Sequence, residues 1–243
     1  MLRRCFSILV LLLVATTLGA QSPALQLLGA WESSFIDSEG RRSKLTMTIV
    51  DGFMSMASYH PESGEFLATL GGKWRADWDN FSLTYEYDSS DPSQVGGVAT
   101  MPYQLTGNIL VFNGDKVWTR VDDLTPGQLS GAWEIIGRKR NGKMQDLSSR
   151  RDGPRKTMKI LSGKRFQWIA FNTETKEFRA TGGGSYTTNE NGLYIEKIEF
   201  FSKDPERAGS QLSFDFKLFK RDWIHRGYST KGDPIHEVWS LRK

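Results

Sequence analysis

Short runs in which β-branched and aromatic residues alternate with polar ones recur along the chain, broken by Gly, Asn, Asp and Pro. Nowhere does a helical period persist. In the first half the alternation predicts strands over 30–35, 44–50, 53–59, 66–74, 80–87, 99–105, 109–112 and 116–121. In the second half it predicts strands over 132–137, 155–161, 165–171, 178–186, 193–201, 211–218, 223–228 and 236–241. Each series holds eight consecutive strands joined by short turns such as Ser162-Gly163 and Lys231-Gly232-Asp233-Pro234. Consecutive antiparallel strands in that number suit an up-and-down barrel, which closes on itself and leaves no sheet edge exposed. The expected fold class is all-β, with two antiparallel barrels in tandem.

The two series begin and continue alike. Leu28-Gly29-Ala30-Trp31-Glu32 returns as Ser130-Gly131-Ala132-Trp133-Glu134. Glu65-Phe66-Leu67-Ala68-Thr69 returns as Glu177-Phe178-Arg179-Ala180-Thr181, Asp91-Pro92 as Asp204-Pro205, and Val117-Trp118 as Val238-Trp239. The offset drifts from 102 to 112, 113 and 121, as it would if two copies kept their strands and changed their loops. A solenoid unit runs to about 20–50 residues, so this repeat reads as two copies of a small domain.

The openings Gly29-Ala30-Trp31 and Gly131-Ala132-Trp133 resemble the Gly-x-Trp that starts the first strand of lipocalins and related calycin barrels. The resemblance implies two tandem lipocalin-like barrels. In each, Trp31 or Trp133 would plug the closed end beneath a cation from the last strand, Arg120 or Arg242. The second copy also resembles a family of secreted bacterial lipocalin-like proteins of unassigned function. The matching residues are Gly182-Gly183-Gly184-Ser185-Tyr186, Tyr194-Ile195-Glu196, Trp223-Ile224-His225-Arg226-Gly227 and Glu237-Val238-Trp239. It implies a small barrel at the cell envelope or outside the cell, and implies no reaction.

Composition adds a leader and a charge split. Arg3 and Arg4 precede the apolar run Ile8 to Val14, and small residues end at Ala20, the pattern of a secretory signal peptide. Residues 1–20 are therefore read as a signal, 21–124 as the first barrel and 125–243 as the second, in a secreted or periplasmic protein. The apolar run is short for a membrane span, and no later stretch is apolar enough. The one cysteine, Cys5, falls in the signal, so the barrels would stand without disulfides. Residues 21–124 carry 7 basic and 14 acidic side chains, a net −7, whereas 125–243 carry 23 and 14, a net +9. Either the halves attract each other, or the second attracts an anionic partner, or the charges only solvate a surface. Arg138, Lys139, Arg140, Lys143, Arg150, Arg151, Arg155 and Lys156 gather in a stretch rich in Gly, Ser, Asn and Asp, read as a solvated loop rather than a nucleic-acid arm.

Candidate chemistry comes from the differences between copies. Glu196 lines up with Leu83, Tyr194 with Phe81, His225 with Phe112 and Glu237 with Lys116. Residues two apart in a strand share a face, so Tyr194 neighbours Glu196, Trp223 neighbours His225, and Glu237 neighbours Trp239. Ionisable groups inside a barrel are costly unless paired or wetted by a ligand cavity. An outward-facing, solvated placement is the competing reading. The glycines Gly182–Gly184 lack the Lys-Ser/Thr and helix of a phosphate loop, and close backbone approach accounts for them better. The three histidines, His60, His225 and His236, form no recognisable metal set, so neither metal nor cofactor is expected. Trp78 and Trp223 are the tryptophans expected to be partly exposed.

Three functions follow. The leading one is an exported binding protein that holds a small-molecule or oligosaccharide ligand, anionic in character, in the second barrel. Its lining would be Tyr186, Tyr194, Glu196, Trp223, His225 and Glu237. The second is an enzyme with Glu196 or Glu237 as general base and His225 as general acid. The third is a structural or adaptor protein of the cell envelope. The sequence leaves ligand, reaction and oligomeric state open.

Overall fold

A computed structural model of the chain describes residues 22–122 and 125–242, so the segment read as a signal peptide lies outside the described residues. The first eight strands are β1 (Gly29–Ile36), β2 (Arg42–Val50), β3 (Phe53–Tyr59), β4 (Phe66–Ala76), β5 (Asn80–Asp88), β6 (Val98–Thr106), β7 (Ile109–Phe112) and β8 (Lys116–Arg120). They pair in sequence order, and β8 returns to β1 to close the barrel. The second group is β9 (Gly131–Arg140), β10 (Lys143–Asp146), β11 (Arg155–Leu161), β12 (Arg165–Asn172), β13 (Phe178–Thr188), β14 (Leu193–Phe201), β15 (Gln211–Phe219), β16 (Asp222–Tyr228) and β17 (Pro234–Leu241). Strand β17 pairs with β9 to close an eight-strand barrel, while β10 adds a hairpin onto the far end of β9. That hairpin turns on Asn141 and Gly142, both at positive φ (49° and 76°), as a two-residue turn between twisted strands requires. The sequence reading took this stretch as loop.

Apart from β10, the barrels repeat each other strand for strand. Trp31 faces Met47 across β1–β2, and Trp133 faces Lys159 across β9–β11. Register shifts fall between Ser58 and Tyr59 in one barrel and between Ala170 and Phe171 in the other. A second pair of shifts falls between Gly71 and Gly72 and between Gly183 and Gly184. At the latter bulges a Cβ on Gly72 would strike the Thr84 carbonyl, and one on Gly184 the Lys197 carbonyl. The glycine run is therefore a site of close backbone approach.

Each interior is filled by its own core. Trp31, Met47, Phe81, Leu83, Phe112 and Trp118 fill the first, and Trp133, Ile135, Phe166, Tyr194, Trp223 and Trp239 the second. Burying one such large apolar side chain contributes about 1.5–3 kcal/mol. At the closed ends, Trp31 donates Nε1–H to the Leu27 carbonyl (3.0 Å) and Trp133 donates to Leu129 (2.8 Å). Leu27 ends a short helix, α1 (Pro23–Leu27), which the strand pattern had not announced.

The two plugs differ in what covers them. The Arg120 guanidinium lies 4.0 Å from the Trp31 ring centroid and donates to the carbonyls of Leu28 and Gln26. Arg242 does not do the same for Trp133. Leu241 takes that register position, and Arg242 turns into the interface to pair with Glu86.

The barrels dock through a face related by an approximate two-fold. Tyr59 stacks on Phe200 and Phe171 packs on Tyr87, each pair with centroids 4.7 Å apart. Tyr59 and Phe171 are equivalent positions, as are Tyr87 and Phe200. The equivalent Phe66 and Phe178 meet each other at 5.7 Å. Around this apolar centre, Arg165 pairs with Glu32 and Glu199, and Lys44 with the same two carboxylates. On the other side Arg242 pairs with Glu86 (2.8 Å) and Lys156 with Glu134 (3.2 Å). Glu32 and Glu86 of the acidic half thus meet Arg165 and Arg242 of the basic half, so part of the charge split is used in docking.

Candidate functional site

Side chains from six strands converge inside the second barrel. On β11, Met158 and Ile160 face the first barrel, which turns Lys159 inward. Its ammonium sits 2.7 Å from Glu196 Oε1 and between 5.1 and 5.8 Å from the ring centroids of Tyr194, Phe214, Trp223 and Trp239. Tyr194 donates its hydroxyl to the same Glu196 oxygen (2.8 Å). His225 lies on β16, with its ring centroid 4.1 Å from Phe214, 5.2 Å from Trp223 and 5.8 Å from Tyr194. Its Nδ1 is 3.6 Å from Glu237 Oε2, and the other Glu237 oxygen accepts two hydrogen bonds from Arg138 at 2.8 and 3.1 Å.

Burial is deep. His225 is 1% exposed, Glu196 4% and Lys159 5%. The cluster reaches solvent where Glu237 meets the more open Arg138. Two further facts set this interior apart from a finished core. Neither ring nitrogen of His225 has a hydrogen-bond partner among the described residues, and the Trp223 indole N–H has none either, whereas the unpaired Trp239 indole has an unpaired counterpart in Trp118 of the first barrel. A buried polar group left unpaired costs about 1–3 kcal/mol.

Burial, and then the Lys159 ammonium, hold His225 below its usual range, against the pull of Glu237 and Glu196. The imidazole is therefore neutral near pH 7. Burial pushes Glu237 up, but the neighbouring His225, Arg138 and Lys159 outweigh it and bring the carboxyl down to about 2. Burial, and then Glu196, push the Tyr194 hydroxyl well above its usual range, so it serves as a hydrogen-bond donor.

Of the residues singled out in the sequence, Tyr194, Glu196, Trp223, His225 and Glu237 share this interior. Tyr186 borders it, its ring 5.5 Å from Tyr194, but its hydroxyl turns to the closed end and donates to the Ser162 carbonyl at 2.5 Å. Trp223 is fully buried, which corrects the expectation of partial exposure, while Trp78 is exposed. Lys159 and Arg138 are the residues the sequence reading missed. Lys159 carried a signal in the comparison of the two copies: Met47 against Lys159 is the same apolar-to-charged change as Leu83 against Glu196.

The first barrel makes the contrast plain. At the places of Lys159, Glu196, Trp223 and His225 it carries Met47, Leu83, Leu110 and Phe112. Where Glu237 meets Arg138, it has Lys116 over the Phe35 ring at 5.2 Å. Among the described residues no three His, Cys, Asp or Glu side chains come together as a metal's ligand set. No described helix is long and apolar enough to cross a membrane.

Residues 128–241, which hold the whole second barrel, match the model of a family described as a domain of unknown function (DUF4488). No curated protein matches the chain.

Proposed function

We propose that this is an exported, lipocalin-like binding protein whose second barrel holds a small or oligomeric anionic ligand, with the first barrel as its scaffold. The observation that carries this reading is the unsatisfied polar interior. His225 and the indoles of Trp223 and Trp239 present buried nitrogens with no partner among the described residues, beside two fixed ion pairs. A core selected for stability alone would hold Phe and Leu in place of His225 and Trp223, as the first barrel does with Phe112 and Leu110. Aromatic walls with a few convergent polar groups suit a sugar or similar amphipathic molecule. Export rests on the signal-like residues 1–20.

An acid–base enzyme is supported less well. A general base works best with a pKa near the working pH, and Glu237 at about 2 is far below it. Glu196 is held by both Lys159 and Tyr194, and a neutral His225 has no extra proton to give. A structural or adaptor role would use the docking face but leaves the buried nitrogens unexplained.

The test is titration of the intact chain with acidic and neutral oligosaccharides, followed by intrinsic tryptophan fluorescence and by product analysis. The binding reading expects saturable quenching, no product, and only a change of affinity in Glu196→Gln. Product formation that disappears in Glu196→Gln while quenching persists would move the assignment to the enzyme.

A further inference from the structure

We infer that the mouth of the second barrel carries an arginine-built oxyanion site, formed by Arg138, Arg140, Arg150 and Arg155, which captures a ligand bearing clustered carboxylate or phosphate groups. The inference deepens the proposed function by naming the chemistry of the ligand and the part of the barrel that meets it first.

The placement follows from strand alternation. On β9 the inward series that contains Trp133 and Ile135 continues, past the register shift against Val238 and Trp239, to Arg138, whose partner Glu237 touches His225. Arg140 is two residues on, at the tip of the Asn141-Gly142 hairpin. On β11 the inward series runs Arg155, Thr157, Lys159, so Arg155 stands above the Lys159–Glu196 pair. The third contribution comes from a short 3-10 turn, Ser148–Arg151. Leu147, just before it, packs against the second core, and its N–H donates to the Ile136 carbonyl (2.8 Å). The Lys156 ammonium donates to the carbonyls of Arg150 and Arg151. The turn is thereby pinned over the mouth, with Arg150 beside the arginines of β9 and β11.

Three of these guanidiniums lack counter-charges. Arg138 has Glu237, but Arg140, Arg150 and Arg155 pair with no carboxylate among the described residues. Partial burial, and then Arg155, Arg138 and Arg140, hold the Arg150 guanidinium below its usual range, which places the four within one another's field. The equivalent end of the first barrel is built the opposite way, with Arg41 shared among Asp37, Glu39 and Glu65. Like charges kept together without partners repel, and an oxyanion bound between them relieves that repulsion. Guanidinium forks match carboxylate and phosphate oxygens in pairs, and their field steers an anion toward the mouth.

The experiment is calorimetric titration of the full chain at low ionic strength with trigalacturonate, tripolyphosphate and neutral maltotriose. The expected result is saturable binding of at least one of the two anions, no binding of maltotriose, and weakening as salt rises. Trigalacturonate alone would identify a carboxylate ligand, and tripolyphosphate alone a phosphate ligand. The double variant Arg150→Gln/Arg155→Gln should weaken that binding by about tenfold or more. The charge-matched Lys139→Gln/Lys143→Gln, whose side chains are exposed beside the site, should change it little. Equal melting midpoints for the two variants are expected, since Arg150 and Arg155 make no ion pair. If neither anion binds, or if both double variants weaken binding equally, the site is overturned and only net charge remains. If binding depends on Arg150 and Arg155 but is unchanged in His225→Phe, the arginine site stands and the interior reading falls.

Discussion

Ser55 donates its hydroxyl to Oε1 of Gln167 across the barrel interface at 2.6 Å, and the two residues occupy the same position in the two barrels. Such a meeting of equivalents is what a two-fold axis produces at its centre. Gln167 also donates to Thr69 (2.8 Å) and Thr181 (2.9 Å), which are equivalents too. Ser55 in turn accepts from the Tyr87 hydroxyl at 2.6 Å. The tandem chain therefore docks as a dimer would, with one polar network at the axis and aromatic pairs to either side.

Gln167→Ala should destabilise the protein by about 2–3 kcal/mol, because at one buried centre Ser55 loses its acceptor and Thr69 and Thr181 each lose a donor. Denaturant unfolding measures this directly. A loss under half a kcal/mol would mean that water replaces the amide and that the axis is wet.

Lys159 and Glu196 give a prediction with opposite signs. Lys159→Met, which installs the first barrel's Met47, leaves Glu196 buried without its cation and should cost about 3–5 kcal/mol. Adding Glu196→Leu, after Leu83, should recover most of that loss, since a buried ion pair replaced by apolar residues is often neutral or stabilising. Two independent, additive losses would show that the pair is not coupled.

Acid should weaken the second barrel in two windows. His225 is held below its unfolded value of 6.5, so the unfolded chain takes up its proton first and stability falls as pH drops below about 6.5. Glu237 is held at about 2 against 4.5 unfolded, so its contribution, about 2–3 kcal/mol, is present above 4.5 and is lost as pH falls toward 2. Unfolding midpoints measured from pH 8 to pH 3 should fall throughout. Glu237→Gln should remove the lower window, and His225→Phe should remove the upper window and shrink the lower one, since His225 leads the groups that hold Glu237 down.

Trp31→Ala and Trp133→Ala should each cost about 3–5 kcal/mol, the range for large-to-small changes in a packed core. The first also strips the Arg120 guanidinium of its aromatic face, so its cost should be the greater of the two. Thermal unfolding of the two variants side by side checks the order.

The strands were legible because alternation and turn residues agree along the whole chain, and the repeat was legible because both copies keep Gly-x-Trp and Asp-Pro. The hairpin registers set Glu196 beside Tyr186, as Leu83 stands beside Trp74, and set His225 beside Glu237, as Phe112 stands beside Lys116. What stayed hidden depends on contacts between elements far apart in sequence. Lys159 meets Glu196 only after the barrel closes, and Arg242 finds Glu86 only after the barrels dock. Strand β10 had a local signal in Asn141-Gly142, but the surrounding Arg, Lys and Ser read as a solvated loop. The arginines there looked like ordinary surface charge until β9, β11 and the Ser148–Arg151 turn brought them near one another.

The most direct measurement of the central claim is His225→Phe, which gives the second barrel the residue found in the first. If His225 is kept for a ligand, the variant should melt higher than the parent near neutral pH, because a buried imidazole that makes no hydrogen bond is replaced by an apolar ring. The same variant should lose saturable anion-induced quenching of tryptophan fluorescence. A variant that melts lower and still binds with unchanged affinity would contradict the account, since His225 would then be part of the core and nothing more.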